Sequence, residues 1–160
     1  MAVIDEYINT IVERGGHDAR HDGSETIEAH HLLLAIAAEG DAASREVLTS
    51  AGLDHRAVRD ALDREFEHSL NAAGVSAGTF RLPPPSPAGT PPAKLGASAR
   101  LALERGFSSV SRKKDLRPGH LLLGILRAEA GTVPRALALA GVDRDDLITR
   151  LRSTLPAADA

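Results

Sequence analysis

"HLLLAI" at residues 31–36 returns as "HLLLGI" at residues 120–125, and this doubled phrase decides the fold. Its surroundings repeat with it. From His31 to Gly52 and from His120 to Gly141 the distance is 21 residues in each case, and the two glycines sit in "AGLD" and "AGVD". Leu48 and Leu137 hold the same place between them, and "VRDAL" from Val58 answers "LITRL" from Leu147. Upstream, "IVERG" from Ile11 pairs with "ALERG" from Ala102 once a two-residue difference in length is allowed, which puts Ile4 opposite Leu95. The chain is two copies of one unit in tandem. Each unit spans roughly 60 to 70 residues, a size that buries only about 60% of its surface and is marginal alone. Two such units sharing a core predict one domain over residues 1–160, with a first repeat at 1–73, a linker at 74–94, a second repeat at 95–156 and a tail at 157–160.

Apolar periodicity supplies the elements. Val3, Ile4, Tyr7, Ile8, Ile11 and Val12 recur at helical spacing with Asp5 near the start, so a first helix is predicted, ending or loosening at Gly15 and Gly16. "AHHLLLAIAAEG" and "PGHLLLGILRAEAG" are apolar nearly all round and are expected to be central helices, the second with Pro118 in its first turn. "AASREVLTSAG" and "VPRALALAG" end on Gly52 and Gly141, which suit the left-handed position after a helix. "LDHRAVRDALDREFEHSL" and "VDRDDLITRLRSTL" open on aspartate and read as amphipathic helices capped at the front. From Gly74 to Lys94 six of the nine prolines collect, marking the linker. No period-two pattern persists, so the predicted class is all-α, with two pseudo-symmetric four-helix repeats packed into one eight-helix domain.

Composition excludes several functions. The net charge of −3 and four aromatics in 160 residues leave neither a basic footprint nor stacking platforms for nucleic acid. No apolar run reaches membrane-spanning length, and Asp5 and Glu6 stand where a secretory signal needs positive charge, so a cytoplasmic chain is expected. The absence of cysteine removes disulfides, thiolate catalysis and thiolate metal sites.

Chemistry-bearing patterns are sparse. The lysines Lys94, Lys113 and Lys114 are followed by Leu, Lys and Asp, so no P-loop exists. "GVSAG" at 74–78 matches the serine-hydrolase pattern in letters, but it follows a helix and precedes a proline-rich run, so Ser76 is read as the start of a linker. His17 and His21 stand at i, i+4, and with Asp18, Asp22, His30 or His31 they define the alternative reading, a small histidine-rich metal-binding protein or hydrolase. A solvated polar face is the preferred reading of the same residues. His31 and His120 differ from the other histidines because both stand at the beginning of a central helix, where a ring nitrogen paired with nearby backbone would fix how the helix starts. No catalytic residue, metal ligand or cofactor is called for.

The doubled phrase, with its two AG(L/V)D closures and the linker between, resembles the Clp repeat domain, the N-terminal domain of Clp unfoldases of the ClpC type. Ala19, Gly23 and Ile27 stand where family members carry the same residues. The resemblance implies a pseudo-twofold helical domain that is not an enzyme. Its implied partners are Clp unfoldase or protease components, adaptors, client proteins or cyclic-peptide ligands, in the role of adaptor, decoy or ligand sponge. The oligomeric state is left open. It also implies candidate ligand-binding positions at Ile4, Asp5, His30, Leu95, Pro118 and Gly119. The family writes Thr-Glu before the histidine, and in some ClpC proteins that glutamate holds phosphoarginine. Here Ala29-His30 and Pro118-Gly119 stand there instead, so weak or absent phosphoarginine binding is expected. Gly96 and Ala97 replace the usual cap of the second unit.

Overall fold

The computed structural model describes residues 3–74 and 90–156. Among them are eight α-helices: α1 (Val3–His21), α2 (Ala29–Glu39), α3 (Ala42–Ser50), α4 (His55–Ala72), α5 (Ala97–Ser108), α6 (Pro118–Leu126), α7 (Thr132–Leu139) and α8 (Arg144–Thr154). A 3-10 turn, Lys113–Asp115, precedes α6. Most of the linker, with Ser76, and the tail from 157 lie outside the described residues.

The central pair is α2 and α6, whose sequences lack a polar face. His31 to Ile36 are all buried in α2, and all residues from Gly119 to Leu126 are buried in α6. Around them the buried side chains of both repeats form one cluster, from Ile11, Leu48 and Leu62 in the first to Leu103, Leu137 and Leu151 in the second. The repeats also meet at their outer helices. Arg135 on α7 donates through Nε to Glu65 on α4 at 2.9 Å, and Arg150 on α8 reaches the Ser50 hydroxyl on α3 at 3.0 Å.

Both AG(L/V)D closures take one backbone form. Gly52 and Gly141 have φ of 76° and 72°, where a side chain would be strained. Leu53 N–H donates to Leu48 C=O and Val142 N–H to Leu137 C=O, at 2.8 and 2.9 Å, so the residue after each glycine closes back on the helix it ends. The next aspartate then caps a helix: Asp54 accepts from Ala57 N–H, and Asp143 from Asp145 and Asp146 N–H.

Two expected boundaries move. Helix α1 runs through Gly15 and Gly16 to His21 without ending. A Cβ on Gly15 would lie 3.2 Å from Ile27 and 3.3 Å from Leu32, and one on Gly16 2.8 Å from Pro92 O. The glycines cost about 1 kcal/mol each in helix propensity, but they let α1 approach α2 and the linker's end, so tertiary contact outweighs local preference. Helix α6 stops at Leu126, several residues short of the expected Gly131. Arg144 donates through Nη1 to Leu126 and Ala128 C=O, at 2.9 and 2.8 Å, satisfying the last carbonyl of the shortened helix and one just beyond it. Gly131, at φ 113°, opens α7 instead.

Candidate functional site

Three residues before each repeated histidine the chain turns into a central helix. His31 Nδ1 accepts from the Glu28 backbone N–H at 2.9 Å, and His120 Nδ1 accepts from Arg117 N–H at 2.8 Å. The backbone donor fixes the tautomer, so the proton of His31 sits on Nε2 and points at Asp22 Oδ2, 3.0 Å away. Asp22 also takes Arg59 Nη1 at 2.7 Å, and Arg59 leans toward Asp18. Burial would raise the Asp22 pKa, but His31 and Arg59 hold the carboxyl below the usual range.

This network bears on the metal reading. Asp22, His30 and His31 offer ligand atoms within 4.8 Å of one another. The two nitrogens of His31 are already committed, however: Nδ1 receives a backbone N–H, and Nε2 carries the proton given to Asp22. Ligating through Nε2 would require an imidazolate or the loss of the helix-start bond, whereas a metal-bound histidine normally donates its other N–H. His17 and His21 line an open cleft between α1 and α4, near 1,070 Å³, with Arg14, Asp18, Asp22, His55 and Arg59 among its walls. Within the Asp22, His30 and His31 group, ligation through His31 would cost the bond that starts α2.

The two repeats present equivalent mouths at the helix starts, and the mouths differ. In the first, Ile27 pairs with Leu95 as a parallel bridge: Ile27 N–H donates to Lys94 C=O at 2.9 Å and Gly96 N–H to Ile27 C=O at 2.8 Å. The Glu28 carboxylate lies over Gly96 so closely that a Cβ there would overlap it. Ser98 Oγ donates to Glu28 Oε1 at 2.7 Å and accepts from Ala29 N–H at 2.8 Å. Burial pushes the Glu28 pKa up, but hydrogen bonds from Thr26, the Ser98 hydroxyl and the Ser98 backbone N–H outweigh it and hold the carboxyl below its ordinary value. A residue of the first repeat thus caps the first helix of the second, replacing the side chain that Gly96 lacks.

In the second mouth the equivalents of Lys94, Leu95 and Gly96 are Val3, Ile4 and Asp5, and these form the first turn of α1 rather than an extended segment. Leu116 N–H turns back to Lys113 C=O at 3.0 Å. Arg117, the equivalent of Glu28, donates to Lys114 C=O at 3.0 Å and makes a long 3.4 Å contact with Leu116 C=O. A groove of about 450 Å³ remains, lined by Val3, Ile4, Lys113, Lys114, Leu116, Arg117 and Pro118. Asp5 stands beside it and pairs with Lys113 Nζ at 2.9 Å.

Of the residues singled out in the sequence, Ile4, Asp5 and Pro118 come together at this groove. Leu95 belongs to the closed mouth. His30 lies against the His31 ring, with centroids 4.1 Å apart, and burial, followed by the electrostatic influence of the His31 ring, holds its pKa down to about 4. Gly119 is buried beneath α8, where a Cβ would meet Leu155 at 2.9 Å and Leu151 at 3.4 Å, so this position does not open into the groove. Sequence reading missed Glu28, Ser98, Lys114 and Arg117. Comparing the residues three before each repeated histidine, a carboxylate against a guanidinium, holds the signal that distinguishes the mouths.

Two pseudo-equivalent helical units on a shared core, with a mouth at each central helix, define a double-repeat all-α domain. The chain belongs to the Clp repeat (R) N-terminal domain family, whose model matches residues 5–85. Among solved structures it is similar to the N-terminal domain of the caseinolytic-protease-associated chaperone ClpD from Arabidopsis thaliana. The TM-score is 0.62 at 16% sequence identity, covering 93% of this chain and 94% of that one. That likeness extends the shared fold across both repeats. Comparison with curated proteins gives no match. Among the described residues no helix is long and apolar enough to cross a membrane.

Proposed function

We propose that this chain is a non-catalytic protein- or peptide-binding module, serving Clp-dependent proteolysis as an adaptor, a decoy or a sponge for ligands of the Clp N-domain. The observation that carries this reading is the open groove at the start of α1 and α6, in a Clp repeat domain whose sequence holds no P-loop. Its apolar floor and charged rim suit a segment of polypeptide that exchanges water for Val3, Ile4, Leu116 and Pro118. The partners this reading names are Clp unfoldase or protease components, adaptors, clients and cyclic-peptide ligands.

The test uses the folded, immobilised chain against a purified Clp unfoldase, its adaptors and a client-derived peptide array, with Ile4→Gln alongside. Saturable retention that falls in the variant, at unchanged helicity and Tm, supports the reading. A folded wild-type chain that retains none of them overturns it.

A further inference from the structure

The two mouths began as one design, and the filled one shows what the empty one lacks. In the first mouth a carboxylate (Glu28) and an apolar side chain (Leu95) from the chain itself occupy the space at the helix starts. In the second, the residue in Glu28's place is a guanidinium that has turned back onto two carbonyls, and Ile4 lies in helix instead of in an extended pairing segment. The void left has an apolar floor and a cationic rim: Lys113, Lys114 and Arg117 against Asp5, in a chain whose overall charge is −3. Lys114 and Arg117 are solvent-exposed, so the rim's potential faces outward.

We propose that this groove takes an acidic, apolar peptide segment, with a leucine-like side chain on the floor and one or two carboxylates on the Lys114 and Arg117 rim, and that each domain binds one such segment. The charge complementarity follows from the rim. The single stoichiometry follows from the first mouth, which Glu28, Ser98 and the Ile27–Leu95 bridge already close. This inference rests on the binding-module reading and adds the ligand's chemistry to it. Electrostatic recognition of this kind also requires the affinity to fall with salt.

Fluorescence anisotropy with three labelled peptides of equal length tests it: one alternating leucine with aspartate and glutamate, one with lysine in place of each acid, and one with serine. At low salt the acidic peptide is expected to bind at one site per chain, about tenfold or more tighter than the basic one. The exposed-site variant Lys114→Glu/Arg117→Glu is expected to abolish or reverse that preference. Lys94→Glu/Arg100→Glu, which makes the same charge change at the closed mouth, is expected to alter affinity less than about twofold. Equal or tighter binding of the basic or the serine peptide overturns the ligand assignment while leaving the binding module standing. Two sites per chain, or equal sensitivity to the variants at both mouths, overturns the single open groove. Failure of all three peptides overturns this assignment as well, and the unfoldase and adaptor retention experiment then decides the broader reading separately.

Discussion

The Glu28 carboxylate occupies the space that a side chain on Gly96 would need, 68 residues further along the chain. One repeat therefore completes the other's helix start, and the two positions are predicted to be energetically coupled. Gly96→Ala is expected to push Glu28 off Ser98 and to cost about 1.5–3 kcal/mol, the range for a displaced hydrogen bond to a charged group. In a Glu28→Gly background the same change is expected to cost less than about 0.5 kcal/mol, because nothing is left to displace. Urea unfolding of the four proteins measures the coupling, and additive effects would refute it.

Acid is predicted to destabilise the fold beginning well above the carboxylate range. His30 is held at about pKa 4 in the folded chain against 6.5 for the free side chain, so the unfolded chain takes up the proton first. Stability is present in full above pH 6.5 and is lost as pH falls toward 4. From pH 7 to 5 this one group accounts for about 2 kcal/mol. Asp22 and Glu28, both lowered, contribute stability above their ordinary pKa values that is lost at still lower pH. Unfolding free energies at pH 7 and pH 5 are expected to differ by less in His30→Gln than in the wild type. An equal difference would remove His30 as the cause.

Helices α5 and α6 are predicted to tolerate no methyl group between them. A Cβ on Gly124 would overlap Ala102 C=O and lie 2.8 Å from Gly106 N, and one on Gly106 would lie 2.7 Å from His120 O. These are backbone atoms and cannot rotate away, so Gly124→Ala is expected to cost at least about 1–3 kcal/mol through forced separation of the helices. Thermal unfolding would show it as a Tm several degrees lower. The Cβ contacts of Gly15 at the matching α1–α2 approach are side chains at 3.2 and 3.3 Å with His31 C at 3.6 Å, so Gly15→Ala is expected to cost less.

Zinc is predicted to leave the fold unchanged, because His31 has no nitrogen lone pair to give while it serves Glu28 and Asp22. Elemental analysis of the purified chain is expected to find less than about a tenth of an equivalent of metal, and added zinc no rise in Tm. A stoichiometric metal would reopen the alternative built on His17, His21, His30 and His31.

Free phosphoarginine is predicted to bind weakly or not at all. The family's glutamate positions hold His30, which is neutral near pH 7, and Gly119, which is buried under Leu151 and Leu155. The carboxylate that does stand by the groove, Asp5, is paired with Lys113. Removing the partner of a guanidinium forfeits a charge-assisted hydrogen bond, roughly a tenfold loss per site. Micromolar heats in calorimetry would contradict this.

The repeat, the all-α class, the two left-handed glycines and the aspartate caps were legible because each is a local conformational requirement written at fixed spacing. Gly52 and Gly141 need only their own φ to be understood. Gly15 and Gly16 read wrongly for the opposite reason: helix propensity says stop, while the contacts with Ile27, Leu32 and Pro92 that justify glycine come from outside the helix. The candidate site divided the same way. Ile4, Asp5 and Pro118 converge because the repeat places α1 and α6 starts together, whereas Gly119 turned out to face α8, a direction that helix packing alone sets.

Sequence by itself therefore determined the doubled helical unit, its closures and the absence of a nucleotide-binding loop, since these depend on spacing and residue type. Tertiary structure decided which mouth is shut and which is open. That outcome rests on Glu28 meeting Gly96 and Ser98 across the repeat boundary, while Arg117 turns back on its own loop. The residues are far apart in the chain, and only folding makes a carboxylate in one place and a guanidinium in the other the difference between a filled space and a groove.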